Sequence, residues 1–237
     1  MNRLAAKHRR AAYPVYKDSG VEWLGEIPEH WKILRLIAVG SMKKAIGGSK
    51  QDNVDNGIPC VRYGDLYTTY DVAIKTIHNF INSDIINNYT TIKYGDILMA
   101  ASGETYEDIG KSAVNLVASE AYCGGDIIIF RPEKSLHPVF LAYALNSVSA
   151  QIQKARMGKG FTIVHIYIDQ LRNLLTSIPP IAEQQTIATF LDRETSRIDE
   201  LIAKVNRSID LLREYRTTLI SAAVTGKIDV REEVPVS

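Results

Sequence analysis

Residues 179–191, Pro-Pro-Ile-Ala-Glu-Gln-Gln-Thr-Ile-Ala-Thr-Phe-Leu, decide the fold because they open a helical pattern of about 45 residues with almost no helix breaker. At about 1.5 Å per residue this helix would be roughly 65 Å long, which is more than one small domain can cover. The two prolines end the preceding element, and Glu183 lies in the first turn, where the positive end of the helix dipole favours a carboxylate. Gly226 follows the last periodic residue and predicts the end of the helix.

The apolar residues of this helix recur at alternating steps of four and three, which is the pattern of a coiled-coil seam. A single seam left in water would be a large exposed apolar stripe, so we expect the helix to pair with another helix. We therefore predict a spacer and dimerisation helix over residues 179–226. The residues predicted to form the dimer interface are Leu191, Ile198, Leu201, Val205, Ile209, Leu212 and Leu219.

Composition bounds the class of protein. The chain has 237 residues, of which 46% are hydrophobic and 23% charged, as in an ordinary soluble protein with one sizeable domain or one domain plus an arm. No apolar run approaches the ~20 residues that cross a bilayer, and the basic N-terminus lacks the apolar core of a signal peptide. Cys60 and Cys123 are the only cysteines, which excludes a disulfide framework and a Cys-x-x-Cys metal site. We expect a cytoplasmic location and no association with membranes.

Positive charge is concentrated in two stretches without acidic residues, although the formal net charge is only +1. If the stretches 30–51 and 134–168 meet in space, they form a positive face of the kind that neutralises phosphates. Chance combined with a solvated surface is the alternative, and charge alone leaves both open. The basic residues of the two stretches are Lys32, Arg35, Lys43, Lys44 and Lys50, and Lys134, Lys154, Arg156 and Lys159.

The middle of the chain, from about residue 34 to residue 177, is rich in short β-type runs separated by Gly, Asn and Asp. Tyr94-Gly95-Asp96 predicts a turn that leads into a strand. We predict a helix at about Pro138–Lys154 and a shorter helical stretch at Ile168–Leu175. The residues of the first helix that we expect to face inward are Val139, Tyr143, Leu145 and Ile152. The predicted strands include Ile58–Arg62, Thr90–Ile92, Ile97–Ala100 and Asp126–Arg131.

Motifs for catalysis are missing from the sequence. Six residues separate Gly103 from Gly110 ahead of Lys-Ser, whereas a phosphate-binding P-loop has four. The single Pro-Pro pair lies between Ile178 and Ile181, so no flanking side chain can hold the amino group of a flipped base as a DNA methyltransferase requires. We predict no catalytic residue, no metal site and no cofactor in this chain. The five histidines, His8, His30, His78, His137 and His165, lack metal-ligand spacing.

Two short segments have the composition of a nucleic-acid contact. Residues 156–162 combine cations, two glycines, an aromatic ring and a hydroxyl, which are the groups that contact phosphates and base edges. A flexible surface turn is the alternative. Residues 62–65 are similar, although Arg62 and Asp65 could instead pair across a turn. We predict phosphate contacts by Lys43, Lys44, Lys50, Arg156 and Lys159, and contacts near base edges by Arg62, Tyr63, Phe161 and Thr162.

Three further segments carry a resemblance to a known family. Residues 16–31 read YKDSGVEWLGEIPEHW, residues 178–185 read IPPIAEQQ, and residues 224–229 read VTGKID. The first two are long and unusual. On these segments the chain resembles the specificity subunit of type I restriction-modification systems, in a half-length form with a single target recognition domain.

The resemblance implies an α+β fold in which a mostly β target recognition domain precedes a long coiled-coil helix. The implied segments are a lead (1–31), a DNA target recognition domain (32–178), the long helix (179–226) and a tail (227–237). Such a subunit is not an enzyme but reads one half of a bipartite site on double-stranded DNA. Its partners are the modification and restriction subunits, to which the methyl donor, ATP and magnesium belong.

One departure from the family pattern suggests how the chain is completed. Family members of ordinary length carry two recognition domains and two long helices, whereas this chain has one of each. We expect two copies to pair their helices antiparallel around a two-fold axis, which would make a homodimer that reads both half-sites. A truncated or phase-variable fragment is a second explanation. A helical interaction protein or decoy, which binds modification subunits without reading DNA, is the alternative function.

Overall fold

The computed structural model describes residues 12–48 and 50–231. Residues 1–11 of the predicted lead, residue 49, and residues 232–237 of the predicted tail lie outside this description. The chain divides into two compact units, Met1–Ala188 and Thr189–Ser237, and each is described by itself. The units divide within the long helix rather than at its start, and the functional boundaries at 31 and 178 stay predictions.

The described residues contain sixteen strands. In chain order they are β1 Tyr16–Asp18, β2 Glu26–Pro28, β3 Lys32–Arg35, β4 Gly40–Lys44, β5 Asn53–Val54, β6 Ile58–Val61, β7 Ala73–Ile74, β8 Phe80–Ile81, β9 Thr90–Ile92, β10 Ile97–Ala100, β11 Ser102–Gly103, β12 Ser112–Asn115, β13 Ala121–Cys123, β14 Ile127–Pro132, β15 Val164–His165 and β16 Leu175–Ile178.

The same residues contain five α-helices, which are α1 Asp65–Thr68, α2 Pro138–Leu145, α3 Val148–Met157, α4 Ile168–Leu171 and α5 Ile181–Val224. Short 3-10 turns occur at Leu36–Val39, Lys50–Asp52 and Ser83–Asn88. None of the helices in the described part of the chain combines the length and the apolar character that crossing a membrane requires.

Two five-stranded mixed sheets form the core of the first unit, in the orders β4-β14-β10-β12-β7 and β5-β8-β6-β13-β9. Strand β14 explains the layering, because its apolar residues do not alternate with polar ones and both of its faces are buried. Ile128 belongs to the apolar cluster that includes α2, whereas Ile127 and Ile129 belong to the cluster that includes the second sheet. The first sheet is therefore the middle layer between α2 and the second sheet.

The predicted helix at Pro138–Lys154 is two helices, α2 and α3, interrupted at Asn146 and Ser147. The side chain of Asn146 donates to the Ser112 carbonyl (2.6 Å) and accepts from the Ser112 amide (3.0 Å), which joins the break to β12. Ser147 accepts from the Ala150 amide and so caps α3. Val139 and Leu145 in α2 are buried as predicted, whereas Ile152 in α3 is 36% exposed and the prediction that it faces inward was wrong.

The predicted helical stretch Ile168–Leu175 was also only partly correct. Helix α4 ends at Leu171, and Leu175 already begins β16, which pairs antiparallel with β3. The amide of Leu175 donates to the side-chain oxygen of Gln153, which fixes the start of the strand on α3. A partner strand that lies about 140 residues earlier in the chain thus overrides the local helical pattern.

Helix α5 covers Ile181–Val224 and agrees with the predicted long helix. Its C-terminus is a Schellman motif, in which the Lys227 amide donates to the Ala222 carbonyl and the Gly226 amide donates to the Ala223 carbonyl. Gly226 has a φ of 69°, a conformation that glycine adopts without strain. The fold class predicted from the sequence, a mostly β α+β domain followed by a long helix, is confirmed.

Candidate nucleic-acid interface

A cleft of about 640 Å³ in the first unit is walled mainly by backbone. Two glycine pairs, Gly47-Gly48 and Gly124-Gly125, face each other here, and a Cβ atom on Gly47 would lie 2.5 Å from the Cα atom of Gly124. Side chains are therefore excluded from this wall, and a ligand in the cleft meets peptide groups. The lining residues are Gly47, Gly48, Lys50, Gln51, Arg62, Tyr63, Gly64, Gly124, Gly125 and Asp126.

Arg62 lies in the floor of this cleft and is only 4% exposed. Its Nε and Nη2 atoms donate to Oδ1 of Asn53 (3.0 and 2.6 Å), and its Nη1 atom donates to the Gly48 carbonyl (2.9 Å) and to the Tyr89 hydroxyl (3.0 Å). The guanidinium thus ties the loop before β5 to β6. This burial does not fit the predicted contact of Arg62 with base edges, because its donors already bind protein groups.

The pairing across the turn that the sequence left open occurs through the backbone. The Arg62 amide donates to Oδ2 of Asp65 (2.8 Å), and Asn79 donates to the same oxygen (2.9 Å). Asp65 therefore fixes the turn that follows β6. Tyr63, the next residue in this turn, is 43% exposed at the edge of the cleft, and its predicted contact near base edges stays a prediction.

Tyr89 completes the support of the cleft. The Tyr89 hydroxyl donates to Oδ2 of Asp52 (2.5 Å). The Cζ atom of the Arg62 guanidinium lies over the Tyr89 ring, 5.1 Å from the ring centroid. Burial, together with the hydrogen bond to Asp52, raises the pKa of Tyr89. Tyr89 therefore stays protonated at neutral pH and keeps its hydrogen bond to the carboxylate.

A second cleft, of about 440 Å³, adjoins the first through Tyr63 and Gly64. The Tyr67 hydroxyl donates to the Ser102 carbonyl (2.9 Å) across its floor. Two carboxylates, Glu104 and Asp108, line this cleft, so its electrostatic character is not uniformly positive. The lining residues are Tyr63, Gly64, Tyr67, Thr68, Ser102, Gly103, Glu104, Thr105, Asp108 and Ile163.

The segment 159–165 is a hairpin and not a loose surface turn. The amide of Lys159 donates to the carbonyl of His165 (2.8 Å), and the amide of His165 donates back to Lys159 (2.7 Å). The Tyr106 hydroxyl donates to the Gly160 carbonyl (2.7 Å) from the neighbouring loop. Phe161 and Thr162 lie exposed at its tip. The predicted base-contacting residues of this segment are therefore presented to solvent by a defined backbone.

The predicted phosphate contacts Lys43 and Lys44 lie on opposite faces of β4. In the register with β14, Lys44 is opposite Ile128 and Lys43 is opposite Ile129, and these two isoleucines belong to different apolar clusters. Lys44 lines a third cleft, together with His165 and Asp126, whereas Lys43 reaches the Thr91 carbonyl with its Nζ atom (3.5 Å). Both side chains are exposed, but adjacent residues of a strand do not form one face.

The second basic stretch is also divided. Lys154 is 1% exposed and its Nζ atom donates to the Gly110 carbonyl (2.7 Å); burial lowers the pKa of Lys154 to about 7. The Arg156 guanidinium stacks over the Trp23 ring, 4.8 Å from its centroid, and so contacts the lead segment. Lys50 and Lys159 are exposed. The two stretches therefore do not supply one continuous positive face.

The family model described as the type I restriction modification DNA specificity domain matches residues 28–211, which is more than half of the chain. The chain belongs to this family. Membership confirms the resemblance to the family that was drawn from the sequence.

Relatives in the family include the type I restriction enzyme EcoKI specificity subunit of Escherichia coli K12, which is 24% identical over 212 residues. The MjaVIII specificity subunit of Methanocaldococcus jannaschii is 24% identical over 219 residues. The matches cover 86% and 88% of this chain but 44% and 48% of those proteins. The chain therefore spans about half the length of these relatives.

Solved structures share the fold. A chain from a structure of a type I R-M system superposes with a TM-score of 0.64 at 19% identity, over 83% of this chain and 46% of that chain. The HsdS subunit from Thermoanaerobacter tengcongensis superposes with a TM-score of 0.54 at 20% identity, over 79% of this chain and 42% of that subunit.

Most of helix α5 lies in the second unit and carries an exposed apolar strip. Leu191, Ile198, Val205, Leu212 and Leu219 recur every seven residues. Within this unit, taken by itself, Leu191 is half-buried and the other predicted interface residues, Ile198, Leu201, Val205, Ile209, Leu212 and Leu219, are 40–66% exposed. Ile202, Leu211 and Ile220, which the sequence interpretation did not include, are also exposed.

Several residues of the site were missed because their roles depend on distant partners. Asn53, Tyr89 and Asp52 support Arg62, yet no motif joins them in sequence. The carboxylates of the second cleft come from outside the acid-free stretches. The repeated Gly-Gly pairs were an available signal, since paired glycines mark close approach of backbone. Within residues 12–48 and 50–231, no three His, Cys, Asp or Glu side chains form a group that could hold a metal ion, and His8 lies outside that range.

Proposed function

We propose that this chain is a specificity subunit that reads one half of a bipartite site on double-stranded DNA through the glycine-walled cleft and the 159–165 hairpin. One observation carries the proposal: the exposed Tyr63 and Lys50 line a cleft with peptide walls, and Phe161 is exposed at the tip of the 159–165 hairpin, inside a DNA specificity domain. Peptide N–H groups and lysines contact phosphates, and aromatic and hydroxyl groups contact base edges.

The charge distribution limits where phosphates can approach. Lys50 lines the first cleft beside Asp126, and Lys44 lines the third beside Asp126 and Asp169, whereas the second cleft has Glu104 and Asp108 and no lysine among its lining residues. Phosphates are attracted to lysines and repelled by carboxylates, so we infer that the DNA backbone approaches Lys50 and Lys44 rather than the second cleft. The second cleft then faces bases, where a carboxylate can accept a hydrogen bond from the amino group of cytosine.

We further propose that two copies pair through the apolar strip of the long helix. The strip has the seven-residue spacing of a coiled coil, and the relatives are about twice as long as this chain, so a second copy would supply an equivalent second half. An antiparallel pair would hold two recognition domains at a set separation. The remaining partners are modification and restriction subunits, on which the methyl donor, ATP and magnesium would be bound. The cytoplasmic location stays a prediction.

A helical interaction protein or decoy is the second candidate function. The exposed strip on the second unit favours it, because helix pairing does not require the clefts of the first unit. The two functions differ in whether the recognition domain itself contacts bases. Competition between DNA sequences separates them, because non-specific phosphate binding gives no preference for one sequence.

The test uses the complex reconstituted from this chain and its modification subunits. Methylome sequencing with and without the gene identifies the modified site, and competition binding then compares this site with a scrambled site at stated salt. We expect the modified site to bind on the order of 10³-fold more tightly or better. Tyr63→Ala should reduce that ratio, whereas the matched exposed control Tyr94→Ala should leave it unchanged. Equal affinity for both sites would support the decoy.

A further inference from the structure

The tip of the 159–165 hairpin carries a large apolar side chain that nothing in the first unit covers. Phe161 has a relative exposure of 107%, the highest among the large apolar residues of the described chain. Ile163, two residues on, is 52% exposed and lines the second cleft. Exposure of an aromatic ring to water is unfavourable, because the ring has a large apolar surface and burying this surface lowers the free energy.

The backbone of the hairpin holds Phe161 in this position. The paired amides of Lys159 and His165 close its base, and Tyr106 binds the Gly160 carbonyl. Gly160 has a φ of 131°, and a Cβ atom there would collide with the Ile163 carbonyl oxygen, so the turn requires glycine. The ring therefore projects from a constrained turn and not from a frayed segment.

The surroundings of the tip favour bases over phosphates as the groups that cover the ring. The hairpin adjoins the second cleft through Ile163, and Glu104 and Asp108 line the same cleft and repel phosphates. Thr162, beside the ring, is exposed and offers a hydroxyl that can bind a base edge. An apolar ring next to a hydroxyl, on a hairpin that borders a cleft with two carboxylates, matches the groups that enter the base stack.

We propose that Phe161 is a wedge that inserts between two adjacent base pairs of the half-site and unstacks them. This inference rests on the proposed function as a DNA reader. The hairpin then contributes specificity through the deformability of the step, since pyrimidine–purine steps unstack at a lower energetic cost than other steps. The wedge acts independently of base flipping by the methyltransferase, which takes out only the base that is modified.

The test is permanganate oxidation of thymines, which detects unstacked bases, in the reconstituted complex on DNA that carries the methylome-defined site. We expect the native complex to show a reactive thymine, or increased 2-aminopurine fluorescence, at one step of the half-site other than the modified base. Phe161→Ala should abolish this signal and weaken binding to the modified site about tenfold, with little change on scrambled DNA. Phe161→Leu, which keeps an apolar wedge, should retain most of the signal, and Val148→Ala, at another exposed apolar residue, should have no effect.

Each other outcome has a defined meaning. If the signal at that step persists in Phe161→Ala, or the native complex shows none, Phe161 is not a wedge although the chain can still read DNA. If Phe161→Ala prevents assembly with the modification subunits, the tip is a protein contact and the inference is wrong. If the native complex shows no preference for the modified site, the proposed function itself fails.

Discussion

Oδ1 of Asn53 accepts two hydrogen bonds from Arg62, at 2.6 Å from Nη2 and 3.0 Å from Nε. The sequence suggested Arg62 for base contact. Together with its hydrogen bonds to Gly48 and Tyr89, this forked contact with Asn53 shows that Arg62 instead supports the cleft from a buried position. A guanidinium donates from a rigid plane, so one side chain can hold three segments in a fixed geometry.

Replacing Arg62 should therefore affect the fold as well as binding. We expect Arg62→Met to lower the free energy of unfolding by about 3 kcal/mol, because several hydrogen bonds to a charged group are lost and their acceptors stay buried. Urea denaturation measures this change. Lys50→Met, at an exposed lysine of the same cleft, is the control and should alter stability by less than about 0.5 kcal/mol. Equal stability of the two variants would contradict the supporting role.

Buried Lys154 should make stability depend on pH. Desolvation lowers its pKa to about 7, so the folded state releases a proton that the unfolded chain retains. The unfolded state then binds more protons above pH 7, and this residue makes stability rise with pH. We expect Lys154→Met to remove the rise between about pH 7 and pH 8, a window below the unfolded value of 9.0 at which the two buried thiols begin to titrate.

Urea denaturation at several pH values within this window measures the effect. The exposed Lys159→Met variant is the control and should keep the native slope. An identical slope in the native chain and in Lys154→Met would show that the burial of Lys154 has no linkage to folding.

Glu183 should make stability fall in acid. Burial opposes its ionisation, but hydrogen bonds from His30 (2.6 Å) and Trp31 (3.0 Å) outweigh burial and hold the pKa of the carboxyl below its usual range. A depressed carboxyl pKa stabilises the fold above the unfolded value of about 4.5, and this contribution is lost as the pH falls through the folded value. Glu183→Gln should thus be less stable than the native chain near neutral pH and should lose less stability when the pH is lowered. Denaturation followed by circular dichroism measures this change, and the exposed Glu200→Gln is the control that should behave as native.

Helix pairing can be tested by placing charge on the apolar strip. Leu201→Asp combined with Leu212→Asp should give a monomer, because two carboxylates would be buried in the seam. Light scattering measures the mass. The control is Ala203→Asp with Thr217→Asp, which adds the same charge away from the strip and should leave a dimer. An unchanged mass for the seam variant would rule out pairing through this surface.

Spacer length should follow the length of the helix. Insertion of seven residues near Arg207 preserves the seam and lengthens each arm by about 10 Å, which is roughly three base pairs at about 3.4 Å per step. We expect the target site of this variant to keep the same two inverted half-sites but to have a longer spacer between them. Methylome sequencing identifies the site. An asymmetric site with two different halves in the native strain would show that a different second subunit completes the assembly.

Local information determined the long helix and many of the strands. Its start after Pro180, its stop at Gly226 and the seven-residue recurrence of its apolar residues are all properties of neighbouring residues. The same holds for the turn at Gly95, which has a φ of 85° and needs a glycine. Such features depend on backbone sterics and on side-chain periodicity, which can be read over a few turns.

Only the tertiary structure decided which polar residues line the site. Lys154 and Lys159 belong to one basic stretch, yet packing buries the first and exposes the second. Arg62 was indistinguishable from a surface arginine until Asn53 and Tyr89, from distant segments, supplied its partners. Burial and hydrogen bonding depend on which segments meet after folding, and a charge pattern along the chain contains no record of those contacts.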